Sequence, residues 1–200
     1  MPGSPKDRFV RLFGDRRGSK RPGDDGPLYR EVSEEGVVSY YRFQGGPLHR
    51  LEGPAVITPA EYDEEHNEWY VNGVRHREGG PAVEYWNGRI EYYRDGKLHR
   101  DDGPALVDDE GTANYYRDGV LHCEGGPAIE RADGSEEWYF EGALHREDGP
   151  AIFNPEEKLY VVRAAWYCHG KLHRTDGPAF VYHDGRTEYW IDGERQPDPS

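Results

Sequence analysis

The sequence predicts an all-β fold: an elongated, tandem-repeat antiparallel β-hairpin sheet of the solenoid type, with seven units of about 23 residues. Three observations predict it. Gly-Pro recurs at Gly26-Pro27, Gly53-Pro54, Gly80-Pro81, Gly103-Pro104, Gly126-Pro127, Gly149-Pro150 and Gly177-Pro178, in steps of 27, 27, 23, 23, 23 and 28 residues. An aromatic pair also recurs seven times, at Tyr40-Tyr41, Trp69-Tyr70, Tyr92-Tyr93, Tyr115-Tyr116, Trp138-Tyr139, Trp166-Tyr167 and Tyr189-Trp190. Asn72-Gly73, Asp95-Gly96, Asp118-Gly119 and Asp192-Gly193 follow such pairs, and Asn87-Gly88, Asp133-Gly134 and Asp184-Gly185 precede them. These dipeptides favour the φ > 0 turns that close two-residue hairpins.

Residues 92–107, YYRDGKLHRDDGPALV, show the unit cleanly. An aromatic pair leads through a turn to Leu-His-Arg, an acid, Gly-Pro-Ala and an apolar residue. Each Pro denies the ladder a donor and adds a break. Only short strands fit between the breaks, and no window of useful length carries helical apolar spacing. The one helical expectation is a weakly amphipathic stretch within residues 6–13. It falls in a basic N-terminal arm over 1–21, which precedes a repeat domain over 22–196 and a tail over 197–200.

Period-two alternation assigns faces. The first aromatic of each pair is expected to pack inward. The second, with the acid that often precedes the pair (Glu68, Glu91, Glu137, Glu188), is expected to look toward solvent. Inward columns are expected from the residue after Gly-Pro-Ala (Val56, Val83, Leu106, Ile129, Ile152, Phe180) and from Leu98, Leu121, Leu144 and Leu172. This core is thin, so neighbouring units must stack to bury it. Longer connections precede Trp69 and Trp166. There Pro59, Ala60, Asp63 and Glu64, and Pro155, Glu156 and Glu157, have the character of exposed loops.

Hydrophobic residues make up 34% of the chain and charged ones 32%, a balance that alone would suit disorder. The 15 Tyr, 5 Trp and 6 Phe argue for a folded chain. Residues 1–21 hold seven basic side chains and two acids, so within a net charge of −14 the body is strongly acidic. Such a body repels phosphate backbones, and no direct nucleic-acid binding by it is expected. No 18-residue apolar run is present, so no membrane span is expected. Cys123 and Cys168 occupy unrelated positions of their repeats. They read as incidental thiols of a reducing compartment, the cytoplasm of the source cell or of a host cell.

No phosphate-binding glycine loop, nucleophile elbow, zinc-protease helix or C-x-x-C is present, so no catalytic residue, cofactor or metal site is assigned. The histidine column, His49, His76, His99, His122, His145 and His173, repeats too regularly for a metal centre. Equivalent residues two strands apart lie about 10 Å from each other, too far for two ligands of one ion, whereas a one-strand-per-coil solenoid would bring them to about 4.8 Å and reopen Zn2+ binding. A repeat-structural role is assigned to this column. The pairs Arg50…Glu52, Arg100…Asp102, Arg146…Asp148 and Arg174…Asp176 are read likewise, as charges joined across the strand-to-turn junction. The outward Tyr column, Tyr41, Tyr70, Tyr93, Tyr116, Tyr139 and Tyr167, is the candidate partner surface, because Tyr combines contact area with low entropy cost; the alternative is that cross-strand Tyr rows stiffen a single-layer sheet. Trp86, the one Trp outside a pair, is either a recognition anchor of that surface or cover for a bare stretch of sheet.

The aromatic-x-x-Gly-x-x-His spacing followed by Gly, at a 23-residue period, resembles the MORN (membrane occupation and recognition nexus) repeat and its bacterial variants. The His-Arg-x-Asp-Gly-Pro-Ala version is similar to repeats of phage, prophage and large-virus proteins. The resemblance covers about residues 22–196 and implies consecutive β-hairpins with roles in protein contacts and sometimes lipid contacts. Variant MORN proteins also resemble antitoxin or immunity components. The chain departs from the usual Gly-x-Gly at Arg-x-Asp-Gly-Pro. The function expected is a non-enzymatic scaffold that binds a protein partner through an aromatic and acidic surface, in phage–host or toxin–immunity conflict. The alternatives are a sponge for a small anionic ligand such as a nucleotide, and an acidic DNA mimic that inhibits a nucleic-acid-binding protein.

Overall fold

A computed structural model describes residues 28–59, 65–156 and 161–199. The described residues form strands, turns and loops without a helix, and their strand pairings are antiparallel. The expectations for residues 1–21, for the helix within 6–13, and for Gly26-Pro27, Ala60, Asp63, Glu64 and Glu157 lie outside the described residues. Pro155 and Glu156 are exposed, and Pro59 is half-buried.

The chain divides into two compact units between Lys97 and Leu98. In the first, the strands Tyr29–Val32, Val38–Tyr41, Val56–Ile57, His66–Glu68, Val83–Tyr85 and Ile90–Glu91 lie side by side in that order. In the second, the order is Leu106–Val107, Ala113–Asn114, Ile129–Glu130, Glu136–Glu137, Ile152–Phe153, Val162–Ala165, Phe180–Tyr182, Thr187–Ile191 and Glu194–Gln196. At the aromatic pairs the chain steps out of these sheets into small hairpins. Tyr70–Val71 pairs with Val74–Arg75, Tyr116–Arg117 with Val120–Leu121, Tyr139–Phe140 with Ala143–Leu144, and Tyr167–Cys168 with Lys171–Leu172.

The turns closing the small hairpins share one conformation. Asp118 and Gly119 have φ of 51° and 88°, and Asn72, Asp95 and Asp192 begin equivalent turns at 50–51°. Positive φ at both central residues is the type I′ signature, which Asn-Gly and Asp-Gly adopt at least steric cost. Glu141 and His169 take the same left-handed conformation, at 50° and 46°, without being Asn or Asp. There the neighbouring pairing imposes the turn on a sequence that does not favour it.

The most buried column is the alanine of Gly-Pro-Ala. Ala55, Ala82, Ala105, Ala128, Ala151 and Ala179 are all 0% exposed. This corrects the expected core: of the residues that follow these alanines only Val83 is buried, while Val56, Leu106, Ile129, Ile152 and Phe180 are half-buried. Successive residues of a strand face opposite ways, so only one of the two can occupy the closed face. Complete burial marks the alanine as that residue, and its backbone is bonded to both neighbouring strands. Ala128 N–H donates to Glu137 C=O at 2.8 Å, and its own C=O accepts from Tyr115 N–H at 2.8 Å. Ala55 and Ala82 are held in the same two-sided way.

Candidate binding surface

The His-Arg-x-Asp-Gly-Pro motif folds into a clip around its arginine. Arg146 lies over the Trp138 ring at 3.7 Å, Arg77 over Trp69 at 3.8 Å, Arg174 over Trp166 at 4.0 Å and Arg50 over Tyr40 at 4.1 Å. From there each guanidinium donates to the carbonyl of the motif proline, at 2.9 Å for Arg77 to Pro81 and 3.3 Å for Arg174 to Pro178. Arg100, Arg146 and Arg174 also bond Asp102, Asp148 and Asp176 through Nε, at 2.8, 2.9 and 2.7 Å. The arginine holds these aspartate carboxyls below their ordinary pKa, by hydrogen bond first and charge second. The glycine is the seat of the clip: a Cβ at Gly149 would stand 2.9 Å from Arg146 Cζ. Each ring–guanidinium stack contributes on the order of 0.5–1 kcal/mol, and the exposed aspartates add little.

Each histidine of the column reaches forward to the next turn. His99 Nδ1 accepts the Asp118 N–H at 3.0 Å, His122 Nδ1 the Glu141 N–H at 3.1 Å, and His49 Nδ1 the Asn72 N–H at 3.0 Å. His76, His145 and His173 accept from Asp95, His169 and Asp192 at 3.2–3.3 Å. The donor in every case is the left-handed residue that opens a type I′ turn. The Nδ1 edge of each ring is thus used to fix that turn, and at His99 and His173 the same edge also faces the turn aspartate, at 3.2 and 2.9 Å.

The tyrosines of the proposed partner surface share a face with the preceding acid, as alternation requires. That face is not open to solvent. Glu68 is 8% exposed and Glu91 4% exposed. Tyr70, Tyr93 and Tyr139 are half-buried, and their hydroxyls donate to Glu68, Glu91 and Glu137 at 2.8, 2.9 and 3.0 Å. Tyr116 and Tyr167 are also half-buried. A phenol beside a buried carboxylate keeps its oxygen hydrated by protein rather than by water, and the ring becomes part of the sheet.

Charge concentrates around Glu68. Its Oε1 accepts from His66 Nε2 at 3.0 Å, and its Oε2 takes the Tyr70 hydroxyl and Arg75 Nε, both at 2.8 Å. Arg75 also lies 5.5 Å from the centre of the Tyr93 ring. Nearby in the same unit, Arg89 donates to Glu91 and sits 5.1 Å from the centre of the Tyr85 ring, which lies 5.1 Å from the His66 ring. Burial pushes the Glu68 carboxyl up, but the bonds from Tyr70, Arg75 and His66 outweigh it and hold the group below its ordinary pKa. Sequence reasoning missed this network. Its signal was Arg75, which stands where Leu98, Leu121, Leu144 and Leu172 stand in other units.

Trp86 follows the strand Val83–Tyr85 and lies in the turn before Ile90–Glu91. Its side chain is 82% exposed, the most open of the large hydrophobic residues described. Its N–H donates to Glu65 C=O at 3.0 Å, and Asn87 Oδ1 accepts the Arg89 N–H at 3.1 Å, so the turn that presents the ring is tied on both sides. No protein-family model matches the sequence, and a search of curated proteins finds no match. Among the described residues no helix is long and apolar enough to cross a membrane.

Proposed function

We propose that the chain is a non-enzymatic, MORN-like tandem-repeat scaffold that binds a protein partner, with Trp86 as the anchor and the acidic surface as its surround. The observation that carries this reading is the 82% exposure of Trp86 on a hydrogen-bonded hairpin turn. An indole held proud of the surface by a fixed backbone loses little entropy on capture, and Trp is prominent among interface hot spots. The net charge of −14 favours a basic partner. Tyr70, Tyr93, Tyr116, Tyr139 and Tyr167 then act mainly as the stiff support of the sheet, because at three of these positions the hydroxyl is committed to an internal glutamate. The arginines that an anionic ligand would need are turned onto proline carbonyls and carboxylates, which weighs toward the protein reading over a nucleotide sponge.

Photocrosslinking tests the proposal. A photoreactive phenylalanine at position 86, in the cells that make the protein, should give a saturable adduct with one protein. The same label at Glu110, exposed on another turn, should not. Trp86→Ser should then lower the affinity for that protein by on the order of a hundredfold or more, as hot-spot truncation does, with the thermal midpoint unmoved. Equal labelling from both positions, or full binding by Trp86→Ser, would sink the assignment.

A further inference from the structure

One small hairpin departs from the others in a specific way. The first left-handed residue of the turn is Asn72, Asp95, Asp118, Glu141 or Asp192 elsewhere, but in the hairpin Tyr167–Cys168 with Lys171–Leu172 it is His169. The residue before it is Cys168, where the other units have Val71, Arg94, Arg117, Phe140 and Ile191. Both substitutions introduce metal-ligating side chains, and both fall where the histidine of the preceding repeat docks. As a result His145, Cys168 and His169 meet, with their ligand atoms within 4.8 Å of one another. The rings of His145 and His169 stack at 4.3 Å between centroids and 15° between planes. At other turns an acid faces the histidine: Asp118 lies 3.2 Å from His99 and Asp192 2.9 Å from His173. Here a second imidazole replaces that acid and a thiol flanks the pair.

We propose that His145, Cys168 and His169 form a binding site for a borderline-soft transition-metal cation, Zn2+ in the first instance. One thiolate and two neutral imidazoles suit that class of ion. Ideal Zn–S and Zn–N lengths of about 2.3 and 2.0 Å would place the donors roughly 3.5 Å apart, so the three must close by about an ångström. The exposed His169 side chain can make that movement without a change of backbone. The contact from His169 N–H to His145 Nδ1, at 3.3 Å, is among the longest in the histidine column, so the His145 ring is among the least tightly held. Binding displaces the thiol proton of Cys168 to solvent. Three protein donors leave a fourth coordination position open, and the Glu147 carboxylate lies 4.0 Å from His145 Nε2.

The full-length protein, reduced and stripped of metal, should take up one equivalent of Co2+ with a thiolate-to-cobalt charge-transfer band, and Zn2+ should displace it. Cys168→Ser should abolish the band. His169→Asn places there the residue of the equivalent Asn72 turn, which tolerates the left-handed conformation without offering a carboxylate ligand, so it should fold normally and weaken Zn2+ binding by at least about tenfold. Cys123→Ser should change nothing. The proposal fails if no charge-transfer band forms, if the band survives Cys168→Ser or follows Cys123 instead, or if His169→Asn binds Zn2+ as well as the parent chain.

Discussion

Arg75 is the residue whose change should be most informative about the charged network. It occupies a position where other units carry Leu, and there it neutralises a glutamate that is 8% exposed. Arg75→Leu leaves Glu68 with Tyr70 and His66 alone, and unfolding in urea should show a loss of about 2–4 kcal/mol, the cost of stranding a buried charge. Glu68→Gln together with Arg75→Leu should recover part of that loss, because the uncompensated charge is gone. Additive single effects would mean the two side chains do not interact. The pKa shifts set the pH limits of the same network. The Glu68 carboxyl is depressed in the fold, so its contribution is present above the ordinary carboxylate pKa and is lost as pH falls through the depressed value. Tyr139 moves the other way: burial first, then the charge of Glu137, push its phenol up to about 12. The fold therefore favours neutral Tyr139, and that contribution is intact below about pH 10 and lost as pH rises toward 12. Ultraviolet titration should show tyrosinate appearing late, in step with alkaline unfolding, and Tyr139→Phe should remove one late-titrating group. A Tyr139 that ionises with the exposed tyrosines would contradict the contact with half-buried Glu137.

At the scale of the element, the small hairpin depends on a histidine that precedes it by 19 residues in the regular units. His99 is 6% exposed, and its Nδ1 is the acceptor for the Asp118 N–H. His99→Ala removes that acceptor and opens a cavity, so a loss of about 2 kcal/mol or more is expected. Hydrogen exchange at the Asp118 amide should rise more than exchange at amides of the Leu106–Val107 strand. Uniform acceleration across the unit would mean the histidine acts on global stability and not on its turn. The turns, the strands and the grouping of Tyr with Glu were legible in the sequence, because period-two alternation and Asn-Gly or Asp-Gly chemistry act over a few residues. Which side of the sheet closes was not legible. That depends on how neighbouring strands approach, and Ala128, bonded on both sides, gives no sign of it in a string of letters. The Glu68–Arg75 network was hidden for a similar reason. Its members come from different strands, and only the replacement of Leu by Arg75 marked the place. Cys168 and His169 were likewise separate oddities until the histidine-to-turn contact brought them beside His145.

For the molecule as a whole, the repeated bonds make a quantitative claim about modularity within the second unit. Gly119 N–H donates to Leu98 C=O at 2.8 Å, and Gly142 N–H donates to Leu121 C=O at 2.9 Å, one period later. Arg100 N–H and Cys123 N–H likewise donate to Tyr116 and Tyr139 carbonyls, at 3.3 and 3.2 Å. Deleting residues 104–126 removes one period and joins Gly103 to Pro127, which keeps the Asp-Gly-Pro-Ala sequence. Leu98 C=O then loses Gly119 as its donor while Gly142 N–H loses Leu121 as its acceptor, so each can take the other. In the same way Arg100 N–H can donate to Tyr139 C=O, and His99 Nδ1 can accept from Glu141 N–H. The shortened chain should fold, keep its β-type circular dichroism, and lose stability by about one unit's share. Deleting residues 104–115 breaks the period in the middle: it removes Ala105 and Tyr115 but keeps the Asp118-Gly119 turn and His122. The surviving donors and acceptors are then out of register, and a one-residue slip already reverses the faces of a strand. That variant should unfold or aggregate. If both deletions behave alike, folded or not, the sequence period is not the unit in which this protein is built.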